Sequence, residues 1–184
     1  MPWNLPNLLT WLRILLIPMF VGIFYFEKSW VSAPNQNLVA TVIFTAAAIT
    51  DWLDGWLARK LNQTSSFGAF LDPVADKFLV CAALLILLQL DRVNAMVAFI
   101  IIGREITISA LREWMAQIGA RHKMAVSGVA KFKTIVQIVG LSMMLFQQDI
   151  LGLPVYWTGL ALTVLAAVLT LWSMAVYLRA AWPE

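Results

Sequence analysis

The chain has 184 residues, of which 61% are hydrophobic and only 12% are charged, with a formal net charge of +3. A soluble domain is about half apolar and about a quarter charged, so this composition excludes an ordinary soluble fold and favours an integral membrane protein. The small positive charge is typical of membrane topology and contact with anionic lipid headgroups, and it does not predict nucleic-acid binding.

Six apolar segments follow one another along the chain, each close to the roughly 20 residues that a spanning helix needs. In chain order they are Leu5–Phe26, Leu38–Lys60, Pro73–Leu90, Val93–Met115, Ala125–Phe146 and Tyr156–Ala180. Their apolar residues run almost continuously, without the alternation of a barrel strand, so we expect helices. The sequence therefore predicts an all-α integral membrane protein, a six-transmembrane-helix bundle that residues 1–184 form as a single domain.

The ends and loops of these segments predict how the chain is oriented. No basic leader precedes the first segment and no small-x-small site follows it, so we expect a retained helix, which the short interfacial segment MPWNLPN can precede. Lys and Arg are concentrated on one side, and the positive-inside rule places that side and both termini in the cytoplasm. The basic side holds Arg59, Lys60, Arg112, Arg121, Lys123, Lys131 and Arg179, and the other side holds Lys28 and Arg92.

The polar exception is residues 51–76, DWLDGWLARKLNQTSSFGAFLDPVAD, which contain four of the ten acidic residues. The stretch from Leu38 to Thr50 climbs about 20 Å of a hydrocarbon core that is ~30 Å thick. Asp51 is therefore expected at or just inside the cytoplasmic edge of the membrane. A carboxylate at that depth is costly unless a positive charge meets it.

The spacing of the four acids predicts that they converge. Asp51 and Asp54 are three residues apart and Asp72 and Asp76 are four apart, so each pair shares one helix face. The connection Lys60–Phe67 is long enough to fold the second of these helices back beside the first. Converging carboxylates repel one another unless cations lie among them, and clusters of hard oxygen ligands suit Mg²⁺ or Mn²⁺. Because Asp51 and Asp54 also lie near a helix C-terminus, where negative charge is unfavourable, a bound divalent ion explains them best.

Each acid also has a purely structural interpretation. Asp72 precedes Pro73, so it can cap a helix that has proline at its first position. Asp54 can pair with Arg59, and Asp76 can pair with Lys77 or Arg13. These alternatives explain single residues, but they do not explain four acids at this spacing together with the small residues between them.

The whole pattern resembles the signature of the CDP-alcohol phosphotransferase family, with every position filled. The matching residues are Asp51, Asp54, Gly55, Ala58, Arg59, Gly68, Asp72 and Asp76. The resemblance implies a six-helix membrane bundle, usually a homodimer, that displaces CMP from a CDP-linked donor with an alcohol. It also implies that the four aspartates bind two divalent ions and that Asp76 acts as the base on the alcohol. Asp54, Gly55, Ala58, Arg59 and Gly68 would form the nucleotide subsite.

Further segments resemble one subgroup, the bacterial phosphatidylglycerophosphate synthases. These segments are NLPNLLTWLRILLIP at 4–18, GREITISALREW at 103–114, AKFKTIVQ at 130–137 and TLWSM at 170–174. The resemblance implies CDP-diacylglycerol as donor and glycerol 3-phosphate as acceptor. It also implies a multi-pass protein of the bacterial inner membrane with its active site facing the cytoplasm.

An acceptor that carries a phosphate needs cationic side chains near the site. Arg104 and Arg112 are eight residues apart, about 80° around a helix, so both can line one cleft, and guanidinium groups suit phosphate. Lys131 and Lys133 point in different directions, so we expect one of them, preferably Lys133, to reach the ligand. Arg13 and Thr10 of the first helix are also expected at the acceptor phosphate. One alternative stays open: Arg104 can pair with Glu105, Asp76 or another acid instead of phosphate, and Arg13 has the same ambiguity.

Three other functions are compatible with parts of this pattern. A cardiolipin synthase would share the signature and take phosphatidylglycerol as acceptor, and inositol phosphate or serine are further acceptors within the family. A cation transporter would use intramembrane acids to carry ions, although these acids cluster on one side of the bilayer. An intramembrane prenyltransferase also binds a diphosphate through aspartates and magnesium, but it spaces its aspartates differently and typically has more spans.

Overall fold

The computed structural model describes residues 5–27, 29–60, 66–119 and 128–181. Within these ranges the chain forms six α-helices and no β-strand, which confirms the all-helical prediction. The helices are α1 Leu5–Gly22, α2 Ala33–Lys60, α3 Ser66–Gln89, α4 Ala95–Gln117, α5 Gly128–Phe146 and α6 Val155–Ala181, and a short 3-10 helix, Ile23–Tyr25, follows α1. Residues 1–4 of the predicted interfacial segment lie outside the described ranges.

The largest departure from the predicted boundaries is the start of α3. This helix begins at Ser66, so Asp72 and Pro73 lie inside it and the interpretation of Asp72 as a helix cap is wrong. Proline inside a helix removes one backbone hydrogen bond, a cost that neighbouring helices in a membrane protein can compensate. The early start matters for the site because it places Asp72 and Asp76 on one continuous helical face.

The helices pack into a bundle in which α5 and α6 share the most extensive interface. At their crossing, a Cβ added to Gly140 would lie 3.0 Å from the carbonyl oxygen of Gly159 and 2.6 Å from Oγ1 of Thr163. Glycine is therefore required there by the close approach of the two backbones, as at many helix crossings in membranes. On the other side, α1 packs against α2 and α3.

The distribution of apolar and charged side chains is that of a protein surrounded by lipid. Large apolar side chains cover the outside, and Phe99 and Trp172 are 72% and 74% exposed. Among the described residues, Arg13, Arg104 and Lys133 are buried instead, at 0%, 7% and 2% exposed. Soluble proteins keep large apolar side chains inside and rarely bury charged ones, so this reversed distribution is typical of a membrane protein.

Two described segments are long and apolar enough to cross a membrane by length and composition alone. They are Leu8–Tyr25 and Val155–Val176, and Phe132–Phe146 is a shorter apolar helix. The helices α2, α3 and α4 are interrupted by charged residues, among them Asp51, Asp76 and Arg104. The residues that make these helices less apolar are the ones that the sequence assigns to the active site.

A network of hydrogen bonds joins the helices at the end of the bundle opposite the signature acids. Arg92, in the turn between α3 and α4, donates to Oδ1 of Asn37 (3.0 Å) and to the carbonyl of Leu145 (3.3 Å). Tyr156 of α6 donates to the carbonyl of Arg92 (3.0 Å). Burial lowers the pKa of Arg92 below its usual value. This network ties α2, α5 and α6 to one turn and fixes the spacing of the helices that carry the site.

Candidate active site

Asp51 lies in the second half of α2, and Asp72 and Asp76 lie in the first half of α3, next to Thr10 and Arg13 of α1. The carboxylates of Asp51 and Asp72 are close enough for their charges to interact, and Asp51 interacts in the same way with Asp76. The antiparallel return of α3 beside α2 therefore brings three of the four acids together. The side chain of the fourth, Asp54, lies outside the described part of the structure.

Two side chains of α1 contact these acids. Nη1 of Arg13 donates to Oδ1 of Asp51 at 2.5 Å, and Oγ1 of Thr10 donates to Oδ1 of Asp72 at 2.6 Å. Both donors are fully buried. The sequence placed Thr10 and Arg13 among the residues that contact the acceptor phosphate, and the structure places them on the signature acids instead of in the cavity described below.

Asp76 differs from the other two described acids. It makes no hydrogen bond or ion pair with any described residue, so its alternative pairing with Lys77 or Arg13 is not seen in that part of the chain. Its charge is repelled by those of Asp51 and Glu105 and attracted by those of Arg13 and Lys77. A carboxylate that is partly buried among other acids, with no donor of its own, is suited to a cation or to a proton.

The donor set fits a divalent metal in its chemistry, since it consists of carboxylate oxygens that converge from two helices. Among the described residues, no group of three or more acidic, histidine or cysteine side chains is arranged to hold a metal ion by itself. Oδ1 of Asp51 and Oδ1 of Asp72 are engaged by Arg13 and Thr10. Among the described residues, a metal centre here would use the other carboxylate oxygens of Asp51 and Asp72 and those of Asp76.

A cavity of about 270 Å³ opens beside Asp76, between α3, α4 and α5. It is lined by Pro73, Asp76, Lys77 and Val80 of α3, by Arg104, Glu105, Ile108, Ser109 and Arg112 of α4, and by Thr134 and Gln137 of α5. A cavity that combines a carboxylate without a partner and several cationic side chains is suited to a small anionic molecule with a proton to lose.

Arg104 and Arg112 both line this cavity, so the structure brings them to one cleft. Nη1 of Arg104 donates to Oε1 of Glu105 at 2.6 Å, which is one of the pairings left open from the sequence. Arg112 is exposed on α4 and has no ion pair among the described residues. Arg112 is therefore the cavity's uncompensated guanidinium, while the charge of Arg104 is balanced.

Lys133 does not itself line the cavity, but it precedes the lining residue Thr134 on α5 and is 2% exposed. Its Nζ has no hydrogen-bond partner in the described part of the chain. Its charge interacts with those of Arg104, Glu105 and Arg112. Burying an ammonium group without a hydrogen-bonding partner is costly, so its position indicates a place for an anion. The side chain of Lys131 lies outside the described residues.

Several cavity residues were not assigned to the site from the sequence. Glu105 was considered only as a partner of Arg104, and Ser109, Thr134 and Gln137 were not assigned at all. Their helical spacing carries a signal, because Glu105, Ser109 and Arg112 follow one another at four and three residues and so share a face of α4. Within the nucleotide subsite, Gly68 is buried, and the side-chain positions of 54, 55, 58 and 59 lie outside the described part.

Comparison with known proteins identifies the family. A family model described as CDP-alcohol phosphatidyltransferase matches residues 3–175. A protein of Salmonella typhimurium named CDP-diacylglycerol–glycerol-3-phosphate 3-phosphatidyltransferase is 50% identical over 183 residues, which are 98% of this chain and 96% of the relative. A protein of the same name from Escherichia coli is 48% identical over the same shares of the two chains. This chain therefore belongs to the CDP-alcohol phosphatidyltransferase family.

Proposed function

We propose that this protein transfers the phosphatidyl group of CDP-diacylglycerol to glycerol 3-phosphate, giving phosphatidylglycerophosphate and CMP. The observation that carries the proposal is the cavity beside Asp76, in which one carboxylate without a partner faces two guanidinium groups. Relatives about half identical over nearly the full chain bear names that state this reaction. The cavity has the size and charge for a three-carbon phosphate.

In the proposed reaction, a terminal hydroxyl of glycerol 3-phosphate attacks the phosphorus that bears the diacylglycerol group. A new P–O bond forms to the acceptor, the P–O bond to the CMP phosphate breaks, and CMP leaves with that electron pair. The hydroxyl proton passes to the carboxylate of Asp76, which has no competing donor among the described residues. General-base catalysis of this kind typically contributes about 10²- to 10⁴-fold.

Cationic side chains of α4 and α5 bind the acceptor phosphate in this scheme. Arg112 offers an uncompensated guanidinium at the cavity wall, and Lys133 adds an ammonium group that lacks a partner. Arg104 contributes through the guanidinium nitrogens that do not contact Glu105. Thr10 and Arg13 act through Asp72 and Asp51, holding those carboxylates in place.

The donor diphosphate binds at the signature. The family generally uses divalent metals, and two Mg²⁺ or Mn²⁺ ions held by Asp51, Asp54, Asp72 and Asp76 would neutralise the charge of the diphosphate. By the family resemblance, Gly55, Ala58 and Gly68 would leave room for the cytidine nucleotide, and Asp54 and Arg59 would help to bind it. Phosphoryl transfer depends chiefly on positioning and charge neutralisation, which this arrangement supplies.

The proposed setting is the inner membrane of a bacterium. We infer that all six helices span it, with both termini and the acids at the cytoplasmic face, and that two copies form a homodimer. The exposed apolar surface of the bundle and the basic residues at one end support this placement. CDP-diacylglycerol, whose tails stay in the bilayer, would then present its diphosphate at the depth predicted for Asp51.

The release of CMP by the purified protein, in detergent with Mg²⁺ and CDP-diacylglycerol, tests this proposal across a panel of acceptors. We expect release to depend on glycerol 3-phosphate and to be far slower with phosphatidylglycerol, inositol phosphate or serine. Activity with phosphatidylglycerol alone would identify a cardiolipin synthase. Cation flux into proteoliposomes without any CDP-lipid would identify a transporter instead.

A further inference from the structure

The cavity beside Asp76 has unlike ends. Asp76 and Glu105 approach closely enough for their charges to interact, so they define an acidic end. Arg112 follows Glu105 by seven residues, a rise of about 10 Å along α4. Arg104 is paired with Glu105 and the charge of Lys77 interacts with that of Asp76, so Arg112 and Lys133 are the cations around the cavity that have no acid of their own among the described residues. A ligand with hydroxyl groups at one end and a phosphate at the other matches this polarity.

Glycerol 3-phosphate, the acceptor in the proposed function, has one phosphate and two hydroxyls. The attacking hydroxyl gives its proton to Asp76, and the phosphate lies toward Arg112 and Lys133. The middle hydroxyl is left without a partner in that scheme. A hydroxyl group that is buried in a cavity without a hydrogen-bond acceptor weakens binding. A group on the cavity wall should therefore accept a hydrogen bond from the middle hydroxyl.

Glu105 has the position and the chemistry for that role. It lines the cavity, and its side chain is 21% exposed. Oε1 accepts from Arg104 at 2.6 Å, while Oε2 accepts no hydrogen bond from the described part of the chain. An ionised carboxylate only accepts hydrogen bonds, which suits a hydroxyl donor and not a phosphate. The ion pair with Arg104 also holds this carboxylate in one orientation.

We propose that Glu105 accepts a hydrogen bond from the middle hydroxyl of the acceptor and so selects a three-carbon phosphate that has two neighbouring hydroxyl groups. This inference rests on the proposed function, because it assigns one group of the same acceptor. The reaction then uses two carboxylates for two hydroxyls, Asp76 for the one that reacts and Glu105 for the one that does not.

The test compares kcat/KM for glycerol 3-phosphate and for 3-hydroxypropyl phosphate, which lacks the middle hydroxyl. A hydrogen bond to a charged group predicts that the natural protein prefers glycerol 3-phosphate by about 10- to 100-fold. In Glu105→Ala the ratio should fall to within about threefold of unity, and in Glu105→Gln it should be intermediate. Glu113→Gln, an exposed acid on the same helix, is the matched control and should keep the full ratio.

Two results would overturn the inference. One is that the Glu105 variants lose kcat/KM equally for both substrates, so that the preference for glycerol 3-phosphate is undiminished. Glu105 would then act only by positioning Arg104. The other is equal use of both substrates by the unsubstituted protein, a result that needs no variant to fold. The absence of any CMP release with glycerol 3-phosphate would instead refute the proposed function itself, so the two failures are distinguishable.

Discussion

At the scale of single residues, the site is defined by which charges have partners. Arg13 neutralises Asp51 and Arg104 neutralises Glu105, each through a hydrogen bond of 2.6 Å or less. Asp76 and Lys133 have no such partner among the described residues. Burying a charge without a partner costs free energy, so such charges are expected where a bound ligand supplies the partner.

Asp76→Asn removes the proposed base while keeping the size of the side chain. We expect CMP release to fall by about 10²- to 10⁴-fold, the usual contribution of a general base, with the thermal unfolding temperature changed little. Asp91→Asn is the control, because Asp91 is exposed in a turn at a positive φ of 54°, which asparagine also adopts. Unfolding of Asp76→Asn, instead of inactivity in a folded protein, would mean that this carboxylate is structural.

Lys133→Met tests whether Lys133 binds the acceptor or stabilises the fold. Replacing a buried ammonium group that has no partner by an apolar side chain should leave the thermal unfolding temperature unchanged or raise it. The same change should raise the KM for glycerol 3-phosphate by about tenfold or more and affect the KM for CDP-diacylglycerol much less. Arg179→Ala, an exposed cation at the end of α6, is the control for charge alone. A lower unfolding temperature with unchanged KM would show that Lys133 supports the fold.

At the scale of the helices, apolar periods and charge spacing predicted the elements well, because a membrane helix needs a long run of apolar residues. Their starts were predicted less well. The proline at 73 suggested a helix beginning, yet α3 begins at Ser66, since tertiary packing tolerates an internal proline.

The spacing of the acids also predicted that Asp51, Asp72 and Asp76 come together. The burial of Lys133 and the approach of Glu105 to Asp76 depend on how three helices pack, which spacing along one helix does not encode.

Gly140→Ala tests the crossing of α5 and α6, which positions Thr134 and Gln137. The added Cβ would lie 2.6 Å from Oγ1 of Thr163 and 3.0 Å from the carbonyl of Gly159, so the helices must separate. We expect a destabilisation of about 1–3 kcal/mol, measured by thermal unfolding in detergent. Gly103→Ala is the matched control, because a Cβ there meets no atom within 4 Å. Equal stability of the two variants would contradict the close packing of α5 on α6.

At the scale of the whole molecule, polar side chains are concentrated at both ends of the bundle, and they are hydrogen-bonded differently at the two ends. The network around Arg92, Asn37 and Tyr156 joins helices at one end and is satisfied by the chain itself. Among the described acids and cations at the other end, Asp76 and Lys133 have no hydrogen-bond partner. Stability and chemistry are thus separated along the bundle axis, which is consistent with a substrate that arrives from one side of a membrane.

Single-cysteine labelling tests this placement. In a Cys81→Ser background, Ser29→Cys lies before α2 and Gln117→Cys lies at the end of α4, and both positions are exposed. With the proposed topology, a membrane-impermeant thiol reagent added to intact cells should label position 29 and leave position 117 unlabelled until the membrane is opened. Labelling of both positions from outside would contradict six spans with a cytoplasmic site.

The most direct test of the reaction is the identity of its product. Purified protein supplied with CDP-diacylglycerol, Mg²⁺ and radiolabelled glycerol 3-phosphate should transfer the label into a lipid-extractable phosphatidylglycerophosphate, with one CMP released for each lipid formed. Chelation of divalent ions should stop both the transfer of label into the lipid and the release of CMP. Release of CMP without label in the lipid, or full turnover after exhaustive chelation, would contradict the account.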